Sequence, residues 1–98
     1  MEYVLTRNAQ AMIKTHMGLG KKAQERLLEK AITRGVAHGK TKGNLHKWVT
    51  GKLLNESHIG SKGVVYNNYL FIYTENKTQY RLITVLVGPS SMQKLVGK

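Results

Sequence analysis

Two histidines, His38 and His46, stand in an acid-free run that also holds Lys40, Lys42 and Lys47: "RGVAHGKTKGNLHKW", residues 34–48. Metal-independent RNA cleavage needs a base for the 2′-hydroxyl, an acid for the leaving oxygen and cations for the charge that builds on the phosphate. His, Lys, Arg and Tyr can supply all three without a carboxylate. The candidate catalytic residues are therefore His38, His46, Tyr66 and Arg81. The candidate nucleic-acid contacts are Lys21, Lys22, Arg34, Lys40, Lys42 and Lys47, with Trp48, the only Trp, available to stack on a base. Plainer readings stand beside these. His38 can cap the exit of a helix, the lysines can be solvated, and Trp48 can be core or rim through its helical spacing with Leu45 and Val49. His16 reads as structural, and His58 has no assigned role.

The acids limit the chemistry more sharply. They are Glu2, Glu25, Glu29, Glu56 and Glu75, and there is no Asp. Two-metal nucleases gather several carboxylates around their ions, and glycosidases need a facing pair. Glu25 and Glu29 are one helical turn apart, a spacing typical of a solvated face, so a metal-dependent nuclease is disfavoured. The absence of Cys removes disulfides, thiolate zinc sites and thiol catalysis together. The four His form no tight ligand pattern. No metal and no cofactor are expected.

Charge points to the partner. Sixteen Lys and Arg against five acids give a formal +11. Such an excess suits a polyanion, because each phosphate that is neutralised releases counterions. Nucleic acid, RNA before DNA, is the first expectation, and an acidic surface on a host or cognate protein is the second. No segment approaches the ~18 apolar residues of a membrane span, and no secretory leader is visible at "MEYVLTRNAQ". No membrane partner is expected, and the expected location is the cytoplasm.

The elements that must position these residues follow from hydrophobic periodicity. Glu2 to Leu5 reads as a short strand, and Thr6 as the N-cap of a helix over "RNAQAMIKTHM" that Gly18 and Gly20 stop. Residues 21 to 34 read as a second helix with Ala23, Leu27, Leu28, Ala31 and Ile32 on its apolar stripe. Gly35 closes it, on the expectation of a left-handed cap. Lys21 and Lys22 open this helix, where free amides and the dipole favour an anion. "VAHGKTKG" reads as a loop too rich in Gly to form an element, and "NLHKWVTGKLLN" as a short third helix. "VVYNNYLFIY" is a hairpin turning at Asn67-Asn68, "TENKTQ" a second turn, and "YRLITVLVG" the last strand. Tyr69, Phe71 and Tyr73 share one sheet face, and Leu70 and Ile72 the other. Either the aromatic face is core, or it looks outward as a base-stacking platform. The expectation is one α+β domain over residues 1–89 with a tail over 90–98. Two N-terminal helices and a short third helix pack on one face of a small antiparallel sheet.

The order "LTRNAQAMIKTHMGLGKKAQERLLEKAITRGVAHGKTKGNLHKWV", then "VVYNNYLFIY" and "LITVLVGP", resembles a group of small bacterial and phage proteins. The likeness covers residues 3 to 89. Gly35, His38, Gly43, Leu45, Tyr66 and Thr84 match the group's pattern. Asn8 stands where the group carries its first His, and Met12 or Lys14 stands near its Arg. The architecture is similar to RelE- and barnase-like small ribonucleases, which implies a RelE-like fold and ribonuclease, toxin-like chemistry. Loss of the group's His at Asn8 implies an inactive binder if that His is catalytic. Three readings stay open: an RNA-binding domain that is also a metal-independent endoribonuclease, a non-enzymatic phage-type protein that modulates a host protein, and a DNA-binding regulator. The last rests on "GLGKK" between the first two helices, which mimics a helix-turn-helix.

Overall fold

The computed structural model of the chain describes residues 2–55 and 60–88. The expected tail over 90–98, Pro89, His58 and Glu56 lie outside the described residues. Five strands, three α-helices and a 3₁₀ turn follow one another as β1 (Glu2–Leu5), α1 (Arg7–Met17), α2 (Lys21–Arg34), β2 (Val36–Ala37), the 3₁₀ turn (His38–Lys40), α3 (Gly43–Asn55), β3 (Lys62–Tyr66), β4 (Tyr69–Glu75) and β5 (Gln79–Val87). The domain is α+β. Its sheet is larger than the hairpin and last strand expected, and it is mixed rather than purely antiparallel. The strand order is β1-β5-β4-β3-β2, with β1 parallel to β5 and the other neighbours antiparallel.

The local signals act as the sequence suggests. Thr6 caps α1 by accepting from the Ala9 amide at 3.2 Å, and its hydroxyl donates to the Ile83 carbonyl at 3.0 Å. One residue thus starts the helix and ties it to β5. Gly18 ends α1 with φ 68, a left-handed cap that costs glycine nothing. Asn67 and Asn68 have φ 49 and 68, as a tight hairpin turn requires. Asn76 accepts the Thr78 and Gln79 amides at 2.8 and 2.9 Å, which closes the β4–β5 turn.

Both faces of the sheet are covered. Ala9, Ile13, Leu28 and Ala31 from α1 and α2 pack with Val64, Phe71, Tyr73, Leu82 and Val85. Leu45 and Val49 from α3 pack with Val65, Leu70 and Ile72. Alternation along β3 and β4 puts these two clusters on opposite faces. The third helix therefore crosses to the far side rather than joining the first two. The run at Tyr69–Tyr73 is apolar throughout for that reason. The aromatic face is core: Tyr73 and Tyr80 meet edge to face at 5.9 Å, and Tyr80 stacks on Tyr3 at 5.5 Å. No base-stacking platform exists there.

Gly35 has a different role from the one expected. Its φ is −75°, so no left-handed cap is made. A Cβ there would collide with the Ala31 carbonyl oxygen, with Val64 Cγ2 and with the Val65 carbonyl oxygen. Glycine lets the end of α2 lie directly on β3. The chain can then turn at once into β2, which pairs through Val36 with Val65 and Ala37 with Val64. "VAHGKTKG" is thus not a structureless loop: it holds the edge strand and the 3₁₀ turn that presents His38.

Candidate functional site

His38 begins the 3₁₀ turn and His46 lies in the first half of α3. Their rings stack at 4.6 Å between centroids and 6° between planes. Thr41, buried and bonded to both residues, sets the geometry. Its hydroxyl lies 2.6 Å from the His38 carbonyl oxygen, which can only accept, so the hydroxyl hydrogen is committed there. The same oxygen is 2.9 Å from His46 Nδ1, and Nδ1 is also 3.2 Å from the His38 carbonyl. With the Thr41 hydrogen already placed, Nδ1 must be the donor. Neutral His46 therefore carries its proton on Nδ1 and keeps its lone pair on Nε2. A backbone carbonyl that holds one imidazole nitrogen and leaves the other basic is a common way to fix the tautomer of a working histidine.

His38 is held from the other side. Its Nε2 lies 2.7 Å from Thr50 Oγ1 on α3. Burial and then the adjacent His46 lower its pKa from the usual 6.5, so His38 is neutral at pH 7. His38 does not cap α2; it joins the β2 edge to α3.

A cleft of about 240 Å³ opens beside His38, lined by Gly39, Ser61, Lys62 and Tyr73 among others. Ser61 Oγ is buried there with no hydrogen-bond partner among the described residues. Lys62 Nζ lies 3.1 Å from Glu75 Oε1, the only ion pair among the described residues. That hydrogen bond raises the lysine's pKa. Tyr73 is raised above its usual 10.0, first by burial, and remains a phenol at neutral pH. The cleft is thus lined by a neutral imidazole, a largely buried phenol and a serine whose hydroxyl is buried rather than open to it. Ser61, Lys62 and Tyr73 were missed in the sequence, because their meeting depends on β3–β4 register, which pairs Lys62 with Tyr73.

The other sequence candidates are dispersed. Tyr66 is at the far end of β3 from Lys62 and faces the α1–α2 side, where it lines a second cleft with α2. Arg81 is exposed on β5, opposite Thr74, two strands away from β3. Neither joins the histidine pair. Lys40, Lys42 and Lys47 are exposed on the 3₁₀ turn, the link after it and the start of α3, around the histidines in sequence. Trp48 is half-buried against the α3 cluster, with Lys52 Nζ 5.9 Å from its ring centre, so it sits at the rim of the core. Lys21 and Lys22 are exposed at the start of α2 and Arg34 at its end. His16 is exposed rather than structural, its ring tilted 6.2 Å from Tyr69. Asn8 donates to the Ile83 carbonyl at 3.3 Å, on the α1 side of the sheet and away from α3. The departure at Asn8 leaves the histidine pair untouched.

Arg26 and Lys30 were overlooked. They line the second cleft with Tyr66, and with Arg34 they recur every four residues along one flank of α2. That spacing was the available signal. Glu25 and Glu29 form no ion pair with them among the described residues, and Glu29 is near enough to Tyr3 to raise its pKa, after burial.

Among the described residues no helix is long and apolar enough to cross a membrane, and no three His or Glu come together as metal ligands. The chain matches no protein-family model and no curated protein.

Proposed function

We propose that this chain is a small RNA-binding domain that cleaves RNA without a metal at the His38–His46 pair. The observation that carries this reading is the anchoring of the half-buried His46 ring through Nδ1, 2.9 Å from Thr41 Oγ1 and 3.2 Å from the His38 carbonyl oxygen, which leaves Nε2 as the ring nitrogen without these contacts. Lys40, Lys42 and Lys47 supply positive charge from the same segment. In this reading His46 Nε2 takes the proton of a 2′-hydroxyl as its oxygen attacks the adjacent phosphorus. The bond from phosphorus to the 5′-oxygen breaks, the leaving oxygen takes a proton from a nearby ammonium, and a 2′,3′-cyclic phosphate remains. The cations offset the charge on the pentacoordinate phosphorus. His38 packs flat on His46 and, being neutral, does not repel an imidazolium there.

The test is incubation of the purified protein with labelled single-stranded RNA in EDTA, beside His46→Ala and His38→Ala. Cleavage that ends in a cyclic phosphate and is lost in His46→Ala supports the mechanism. RNA that is bound but intact removes the reaction and leaves a binding domain. Absence of both cleavage and binding removes the RNA reading altogether and favours an acidic protein partner for the +11 chain.

A further inference from the structure

The histidine pair does not account for α2. Arg26, Lys30 and Arg34 repeat at i, i+4 and i+8, which puts like charges about one turn apart on a single flank. Such pairs oppose helix formation. None of the three is ion-paired with an acid among the described residues. An anion lying along the row would offset that like-charge repulsion. The rise per four residues, ~6 Å, is comparable to the separation of successive phosphates on one nucleic-acid strand.

The same flank borders a groove of about 290 Å³ between α2 and the β3–β4 hairpin. Leu19 and Leu27 line it with apolar surface, Tyr66 adds an aromatic ring, and Asn67 brings an amide from the turn. Arg26 and Lys30 stand at its margin. Apolar and aromatic surface flanked by cations is the chemistry of a base held beside its own phosphates. The volume is at the foot of the ~300–1,000 Å³ range of ligand pockets, which suits one planar ring rather than a larger molecule. A duplex keeps its bases stacked inside and cannot use such a groove. Arg34, the last residue of α2, continues the cationic row toward Gly35, β2 and the histidine turn.

Resting on the RNA reading above, we propose that the groove between α2 and the β3–β4 hairpin seats one nucleotide of a single-stranded RNA. Its base lies against Leu19, Leu27 and Tyr66, and its flanking phosphates lie on Arg26 and Lys30. This row is a second contact, separate from the lysines around His46.

The experiment is fluorescence anisotropy with a labelled oligouridine over a range of salt, using the full chain, the double variant Arg26→Ala/Lys30→Ala, Tyr66→Leu, and the triple variant Lys40→Ala/Lys42→Ala/Lys47→Ala. Circular dichroism checks folding of each. Losing two phosphate contacts should lower the slope of log affinity against log salt by about 1.4. Tyr66→Leu should weaken binding about tenfold through lost stacking and leave that slope unchanged. Both groove variants should change the affinity for a duplex of equal length far less. A 4-thiouridine oligonucleotide should cross-link to the hairpin around Tyr66, a readout that needs no variant to fold. If the double variant binds like the parent while the triple variant loses binding, the groove proposal falls and the RNA reading stands. Equal losses for single strand and duplex, or cross-links confined to the histidine segment, also overturn it. If the parent chain binds no RNA, both readings fall, and the acidic-partner reading replaces them.

Discussion

Replacing Gly35 by alanine adds one methyl group where three atoms already stand. The new Cβ would lie closest to the Ala31 carbonyl oxygen, 2.6 Å from Val64 Cγ2 and 2.8 Å from the Val65 carbonyl oxygen. Carbon contacts are most favourable at ~3.5–4.0 Å, so these overlaps are roughly 1 Å deep. Two of the three obstructing atoms are backbone and cannot rotate away. Relief requires α2 to lift from β3, and β2 with it. The expected cost is about 3 kcal/mol, the upper end for overpacking a well-filled site. Against the ~5–15 kcal/mol that holds a typical domain together, this is a large fraction. With a urea slope of about 1 kcal/mol/M, the unfolding midpoint falls by about 3 M. Two other glycines calibrate the result. Gly39→Ala meets nothing within 4 Å and needs no positive φ, so it should change stability by less than ~0.5 kcal/mol. Gly18→Ala also has open space, but its φ of +68 should cost about 1–2 kcal/mol. Urea denaturation of all three at one pH provides the comparison. A Gly35→Ala midpoint within error of Gly39→Ala would refute the argument that close approach of α2 to β3 delivers His38 to its cleft.

Further outcomes follow from the histidine pair. Thr41→Val removes a buried hydroxyl that serves the His38 carbonyl and His46 Nδ1 at once; stability should drop by about 1–3 kcal/mol. Nitrogen-15 NMR should then show His46 losing its preference for the Nδ1–H tautomer, and an unchanged preference would contradict the assignment. Burial, and then His46, lowers the His38 pKa, so the unfolded chain binds a proton near 6.5 that the folded chain refuses. This contribution to stability is fully present above the unfolded value and is lost progressively as pH falls below it, toward the lowered folded value. His38→Asn should flatten that acid-side loss in urea midpoints measured from about pH 7.5 down to about pH 5, around the ordinary histidine range. A parent and a variant with the same slope would show that His38 does not cause it.

Much of the fold was legible because it rests on short-range rules. The period of Ala9, Ile13, Leu28 and Ala31, the cap at Thr6, the left-handed stop at Gly18 and the Asn67-Asn68 turn each act within a few residues. The acid-free, Lys- and His-rich composition of residues 34–48 sets the His38–His46 segment apart, and the two rings do meet. The position of Tyr66 and Arg81 was not legible, because it depends on which strand pairs with which and at what register. Nothing local says that β1 adds to the far side of β5 as a parallel partner, or that α3 crosses to the opposite face of the sheet.

The sequence by itself determined the charge, the poverty in acids, the helices and the hairpin. These are properties of composition and of neighbours along the chain. Only the tertiary structure decided that the aromatic face is core, that Ser61 and Tyr73 share a cleft with His38, and that Arg26 and Lys30 flank Tyr66. The reason is physical. A side chain's face follows from its own backbone period, whereas its neighbour across a sheet follows from burial summed over the whole domain. Gly35 shows the difference in one residue. Its place at the end of a helix was readable, but the need for no side chain arose only when β3, thirty residues later, came to lie against it.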